Sequence, residues 1–462
     1  MERCARIQRF TLNLCIFLCA AACANGFAQT PPAKGTPPAT PRAERVLDQR
    51  DETPLAAPAT PQQTETEKYT LSQDRYEKAI AYSRAGYTLY FVMFFFDVLV
   101  MILVLKLGVA AKFRDFAENL SGSRFLQGLV YIPVLVLTLD ALDLPLRLYG
   151  HSLSLRYEQS VQRWGSWMWD WAKGELLGTA FAVILVLILY AVMRRSPRRW
   201  WLYFWFASLP IIFVIVFISP WFIDPLFNKF EPLEAKHPEL VTEIEKVVQR
   251  AGLQIPRERM FLMQASAKTN QINAYVTGFG ASKRVVVWDT TIQKTTTPET
   301  LFIFGHEAGH YKLGHIRDGF IFFAALLLVT FYAGFRGMHW ALDRWARDWK
   351  IYGPEDWASF ALFLLLLQVV IFAASPLING FSRMQEHAAD VYGLEVIHGI
   401  VPDSPEVAAH AFQVMGEVDL SDPNPPEFIT FWLYSHPPVA DRLVFAHTYD
   451  PWSKGEPPKY VK

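Results

Sequence analysis

His306 and His310 stand four residues apart, with Glu307 directly after the first, in the run Gly305-His306-Glu307-Ala308-Gly309-His310. On a helix, positions i and i+4 share a face, so two imidazoles with this spacing reach one metal ion. A carboxylate one position on leans toward a metal-bound water and takes its proton, which is general-base chemistry. The flanking residues predict the helix the motif needs. Thr296 or Thr297 can cap it, Pro298 suits its first turn and Glu299 complements its dipole. A catalytic zinc has three protein ligands and one open position, so a third ligand lies elsewhere.

Two places could supply it. His315 follows His310 by five residues. On a continuous helix that is about 140° around the axis, and it falls one residue short of the histidine-extended motif. It is not expected to be a ligand. Ser382-Arg383-Met384-Gln385-Glu386-His387-Ala388-Ala389-Asp390 places Glu386 and Asp390 four apart, on one helical face. Glu386 would complete a His2Glu set while Asp390 orients a ligand imidazole from behind. Alone, this stretch reads as an acidic face beside a membrane; the upstream motif favours the metal. His387 points elsewhere and is not expected to bind it.

These residues must be positioned by a chain that is mostly apolar blocks. Six blocks, near 88–110, 127–148, 176–194, 200–219, 317–336 and 357–378, are long enough to span about 30 Å of hydrocarbon. Asp97, Asp140 and Asp143 fall inside them. Either they face a bundle interior or water-filled cavity, or Asp140 and Asp143 pair locally with Arg147. Arg194, Arg195, Arg198 and Arg199 crowd the turn after the third block, and Arg336, Arg344, Arg347 and Lys350 lie between the fifth and sixth. Basic loops are cytoplasmic, so segment 220–316 and the C-terminal tail are expected on the opposite side, periplasmic or lumenal. Between the blocks, 239–250 reads as an amphipathic helix. Residues 260–263, 272–278 and 283–289 read as strands, the last two forming a hairpin through Gly278-Phe279-Gly280.

The remaining features set limits. The 462 residues are 52% hydrophobic and carry no net charge, so no basic field points to nucleic acid. Residues 1–28 combine Arg3, Arg6 and Arg9 with an apolar stretch and small residues. They read as a signal peptide or as an uncleaved anchor. All four cysteines lie there; cleavage would leave no thiol for disulfides, nucleophilic attack or metal binding. Residues 29–70, rich in Pro, Thr, Ala and Gln, read as a disordered linker. The predicted division continues with membrane helices in 71–225, a first catalytic part in 226–316 with the His306–His310 helix, two further membrane helices in 317–378, a second catalytic part in 379–450 with the third ligand and a tail in 451–462.

The full pattern resembles the M48 metalloproteases of the Ste24 type, the type I CAAX prenyl proteases. The run from His306 to His315 looks like their zinc helix, and Asn379, Arg383, Glu386 and Asp390 match their second helix. Asn273-Ala274-Tyr275 with Lys283-Arg284-Val285-Val286 resembles their strand hairpin, and Ser435-His436-Pro437-Pro438 with Arg442 their C-terminal histidine motif. The resemblance implies a mainly α fold, a multi-pass helical membrane bundle enclosing a chamber, with a gluzincin-type domain carrying a small β-hairpin or sheet. It implies one zinc on His306, His310 and Glu386, with Asp390, Arg383 and Asn379 behind the ligands. His436 would stabilise the oxyanion, and the strand at Asn273, Ala274 and Tyr275 would pair with a peptide or protein substrate.

The function expected is therefore membrane endopeptidase, with quality control and maturation of a lipidated peptide both open. Prenylated substrates fit poorly with a lumenal site. The rivals are a catalytically silent client-binding membrane protein and a transporter using the intramembrane aspartates. Oligomeric state is not legible.

Overall fold

Long helices account for most of the chain. The computed structural model describes residues 69–278 and 283–461. The expected signal segment and nearly all of the Pro-rich linker lie outside them, as does the turn between the two hairpin strands. Helix α1 (Gln73–Lys106) is followed by the short amphipathic α2 (Val109–Leu120), then α3 (Arg124–Arg156), α4 (Trp164–Arg195) and α5 (Trp200–Ile218). A π-turn (Ser219–Ile223) leads into the four-residue α6 (Asp224–Phe227). Among the described residues, six helices are long and apolar enough to cross a membrane: α1, α3, α4, the run Trp200–Phe227, α10 (His315–Trp349) and α11 (Ser359–Ile397).

These helices overrun their apolar blocks. At 39 residues, α11 is about 58 Å long, nearly twice the hydrocarbon thickness of about 30 Å. Its surplus carries Glu386 and Asp390 out of the apolar zone. The boundary expected after residue 378 thus falls inside one continuous helix. The first block ends earlier than expected, because Gly108 takes a positive φ of 65° and breaks the chain between α1 and α2.

Asp140, Asp143 and Asp97 are buried. The structure combines the two readings for Asp140 and Asp143, which are buried within the bundle and paired with Arg147. Arg147 lies 3.1 Å from Asp140 and 3.6 Å from Asp143 on its own helix, and 3.2 Å from Glu175 on α4. Asp97 accepts a hydrogen bond from Gln368 of α11 at 3.1 Å.

A second domain is built from two chain segments, one between α6 and α10 and one after the apolar block of α11. Its first part holds β1 (Phe230–Pro232), α7 (Pro238–Arg250), β2 (Met260–Met263), β3 (Ala274–Thr277), β4 (Arg284–Trp288), α8 (Asp289–Lys294) and α9 (Thr297–Lys312). Its second part adds α12 (Ser404–Val418), α13 (Glu427–Leu433) and α14 (Val439–Thr448). The strands form one sheet in the order β1-β2-β4-β3. The expected hairpin pairing is present, with Ala274 opposite Val287. The parallel β2–β4 pairing and the three-residue β1 went unread, since nothing in so short a segment marks its partner. Alternation splits the sheet. Leu262, Ala274, Val285 and Val287 bury against α7 and α9, while Met263, Tyr275, Val286 and Trp288 form a second cluster on the far face.

Candidate active site

Helix α9 starts on a capping box. The Thr296 side chain accepts from the Glu299 amide, and the Glu299 carboxylate accepts from the Thr296 amide. This fixes the helix two turns before His306. It then crosses α11 at very close range, because glycines line the contact. A Cβ on Gly305 would lie 2.7 Å from Val396, one on Gly309 would lie 2.9 Å from Tyr392, and one on Gly393 would lie 2.8 Å from the His306 backbone nitrogen. Small residues four apart let two helix backbones approach.

That crossing assembles the predicted ligands. His306, His310 and Glu386 offer donor atoms that all lie within 4.8 Å of one another. The Nε2 atoms of the two histidines are 3.1 Å apart, and Glu386 Oε2 lies 3.2 Å from His306 Nε2 and 3.7 Å from His310 Nε2. Glu386 Oε2 is buried without a donor in hydrogen-bonding geometry. Both imidazoles therefore direct Nε2 to one point and Nδ1 away from it. His306 Nδ1 donates to Asp390 Oδ1 at 2.7 Å, which fixes the tautomer as expected. Glu307 is half-buried on the same helix, while His387 packs its ring on Phe445 and takes no part.

For three positioning features the sequence offered the residues but not their partners. Arg442 closes the chain behind Asp390 with two hydrogen bonds, Nε to Oδ2 at 2.9 Å and Nη2 to Oδ1 at 2.6 Å. Its guanidinium also lies over Phe412. A planar fork matched to a carboxylate is the signature of arginine pairing, but no spacing rule links residues 390 and 442. Asn379 and Arg383, expected behind the metal ligands, direct their hydrogen bonds elsewhere. They donate instead to the carbonyls of Trp432, Thr430 and Tyr434. These carbonyls lead directly to His436, so α11 sets that histidine relative to its own Glu386. His436 Nε2 lies 3.1 Å from Glu386 Oε2, and its Nδ1 is 3.0 Å from Ser435 Oγ. The third is His315, whose Nδ1 lies 3.0 Å from His310 Nδ1.

Strand β3 occupies one edge of the sheet, alongside α9. The Asn273 amide is already taken by Thr291 Oγ1 at 2.8 Å, and its carbonyl accepts from the Thr291 hydroxyl. Tyr275 turns its ring to the far face of the sheet, so only its backbone is available at the edge.

Burial pushes the His306 imidazole down, but the neighbouring carboxylates of Asp390 and Glu386 outweigh this and carry it up to about 10 without metal. The folded value is raised above the ordinary 6.5, so the stabilisation it gives the metal-free fold is full below pH 6.5 and fades as pH rises through about 10. A metal must displace that proton. Metal binding at neutral pH is therefore expected to release about one proton from this site. Calorimetric titration in buffers of different ionisation enthalpy measures it, and a binding heat independent of buffer contradicts the assignment.

Comparison with known proteins agrees with this geometry. Residues 234–449 match the family model for peptidase family M48, and residues 56–229 match that for the CAAX prenyl protease N-terminal region with five membrane helices. The uncharacterized metalloprotease YhfN of Bacillus subtilis is 36% identical over 80% of this chain and 85% of its own length. The chain belongs to peptidase family M48. A CAAX prenyl protease 1 homolog of Arabidopsis thaliana is 27% identical over 87% of this chain and 93% of that protein. The crystal structure of S. mikatae Ste24p shares the fold, with a TM-score of 0.68 and 24% identity over 81% of this chain and 89% of that one. This M48 protein is a membrane metalloendopeptidase, so it uses a metal, acts on peptide or protein substrates and crosses a lipid bilayer several times.

Proposed function

We propose that the metal is zinc, held by His306, His310 and Glu386, and that the enzyme hydrolyses flexible segments of membrane-associated or lipidated polypeptides. The convergence of three donor atoms from two crossing helices within 4.8 Å carries this reading. Tetrahedral zinc with bonds of about 2.0–2.2 Å needs ligand atoms about 3.3–3.6 Å apart. The separations of 3.1, 3.2 and 3.7 Å bracket that range. Two imidazoles and one carboxylate also match hydrolytic zinc sites, which leave a position open, and not the closed structural kind. Bound zinc supplies Lewis-acid polarisation and a water acidified toward neutrality.

The chain's own residues do the rest. Glu307 takes the proton of the attacking water and returns it to the leaving amine. His436, aimed at the same point as the ligands, donates to the carbonyl oxygen as charge develops there. Asp390 and Arg442 hold His306 in its tautomer. Asn379 and Arg383 hold the His436 segment. The backbone edge of β3 at Ala274 and Tyr275 aligns an extended peptide, and Asn273, tied to Thr291, anchors the start of that strand. The stretches 226–316 and 379–450 act as one protease domain on the membrane bundle.

Sidedness follows from parity. The α3–α4 loop lies against the protease domain, since the Val161 amide donates to the Lys268 carbonyl at 2.9 Å. The α4–α5 turn and the α10–α11 connection lie at the other end, where Arg194 faces the Trp357 ring. Those distal loops hold the arginine clusters, which supports a cytoplasmic distal end and a periplasmic protease domain. The likeness to a Bacillus subtilis relative supports a bacterial inner membrane.

The test is hydrolysis of an impermeant quenched peptide, with and without a lipidated cysteine, by purified protein and by intact spheroplasts. One zinc per chain, inactivation by chelation and recovery with zinc are expected, with cleavage by spheroplasts matching that by lysed membranes. Zinc-loaded protein that cleaves no peptide sinks the endopeptidase mechanism in favour of a client-binding protein. Cleavage only after lysis reverses the sidedness.

A further inference from the structure

His310 poses a question that the metal ligands alone leave open. Its Nε2 is directed at the donor cluster, 3.1 Å from His306 Nε2, so its proton sits on Nδ1 and needs an acceptor. For His306 that acceptor is the buried carboxylate of Asp390. For His310 it is His315, whose Nδ1 lies 3.0 Å from His310 Nδ1, with the two rings inclined at 76°.

A continuous helix would carry His315 about 140° away from His310, and the chain avoids this by breaking. Helix α9 ends at Lys312. The Leu313 amide closes it on the Gly309 carbonyl, and Gly314 turns the backbone at φ 76°. That left-handed conformation is open to glycine at little strain. Helix α10 then restarts at His315, bringing its side chain back over His310. From α11, Gln385 donates to the His315 carbonyl at 3.4 Å. Residue 315 is thereby fixed by α11 beside Glu386.

We propose that His315 is a positioning residue for the metal site, accepting the His310 Nδ1–H through its own Nδ1 so that His310 presents a bare Nε2. This rests on the zinc reading above. Two consequences follow from the pairing. His315 serves only as the neutral tautomer that carries its proton on Nε2, because a second N–H would face the first. The two ligand imidazoles are also braced unequally, one by a carboxylate paired with arginine and the other by a neutral ring. Because α10 is a membrane helix beginning with this residue, displacement of its first turn moves the acceptor of a zinc ligand.

The experiment uses full-length protein in detergent and reads zinc release to a chromogenic chelator, together with the visible spectrum of the cobalt-substituted form. His315→Phe keeps the ring volume and removes the acceptor, whereas His315→Asn places an amide oxygen near the lost Nδ1. Loss of such a partner costs metal affinity about 10–100-fold. The Phe variant should therefore release zinc about 10–100 times faster and show an altered cobalt spectrum. The Asn variant should recover most of both. Wild-type release and spectrum in the Phe variant overturn the proposal, as does an Asn variant no better than Phe. Glu386→Ala, which removes a ligand outright, separates the two failures. If wild type and Glu386→Ala bind zinc equally, the ligand assignment itself is wrong.

Discussion

Replacing Glu307 by glutamine is expected to leave zinc content and thermal stability unchanged while lowering kcat by about 10²–10⁴-fold, the range for loss of a general base. That is about 2.7–5.5 kcal/mol of barrier. The structure explains why the two readouts should separate. Glu307 is half-buried between the ligands in sequence, and His306, His310 and Glu386 converge on one point without it. Glutamine keeps the shape and a hydrogen-bonding oxygen but cannot accept a proton at neutral pH, so substrate still binds and KM should move little. Single-turnover cleavage of the quenched peptide, with metal content measured on the same samples, makes the comparison. Residual activity above about a tenth of wild type would remove Glu307 from the role of base, since general-base catalysis is worth at least 10²-fold. A glutamine variant that loses zinc as well would make Glu307 part of the metal site.

The chemistry of this protein was legible in the sequence because it is local. The His306–His310 spacing, the Glu386–Asp390 spacing and the apolar blocks each depend on one helical repeat, and the structure brings those residues together. What was not legible depends on where elements meet. No local pattern pairs Arg442 with Asp390 across 52 positions. Asn379 and Arg383 were recognisable as polar residues one turn apart, but which carbonyls they hold follows from the path of the chain after α13. His315 was judged on a continuous helix, and the judgement missed the break. The structure sets His315 Nδ1 against His310 Nδ1; Gly314 was the signal that the 140° argument did not apply. The glycines of the helix crossing were visible too. Gly305 and Gly309 form a small-xxx-small pair within the motif, a pattern that marks close helix approach.

That crossing gives the second large effect. Gly393→Ala is expected to lower zinc affinity and hydrolysis together, by about 10²-fold or more, the loss that a 1 Å misplacement of an active-site group produces. The new Cβ would stand 2.8 Å from the His306 nitrogen and 3.1 Å from its Cα. Both are backbone atoms of a capped helix, so no rotamer change relieves the overlap. Normal contact at about 3.5–4.0 Å requires the two helices to part by roughly 1 Å. Parting them separates His306 and His310 on one helix from Glu386 on the other, which stretches ligand separations that now bracket those of tetrahedral zinc. Intrinsic helix propensity works in the opposite direction, since alanine is favoured over glycine inside a helix by about 1 kcal/mol. Gly319 supplies the control. It lies inside α10 with no atom within 4 Å of an added Cβ, so Gly319→Ala should leave zinc binding intact and hold or raise the melting temperature. Opposite outcomes for one chemical change at two helical glycines would locate the requirement in the crossing. Equal zinc affinity in Gly393→Ala and wild type would mean that the helices yield without moving the ligands, and that the close approach is not what sets the site.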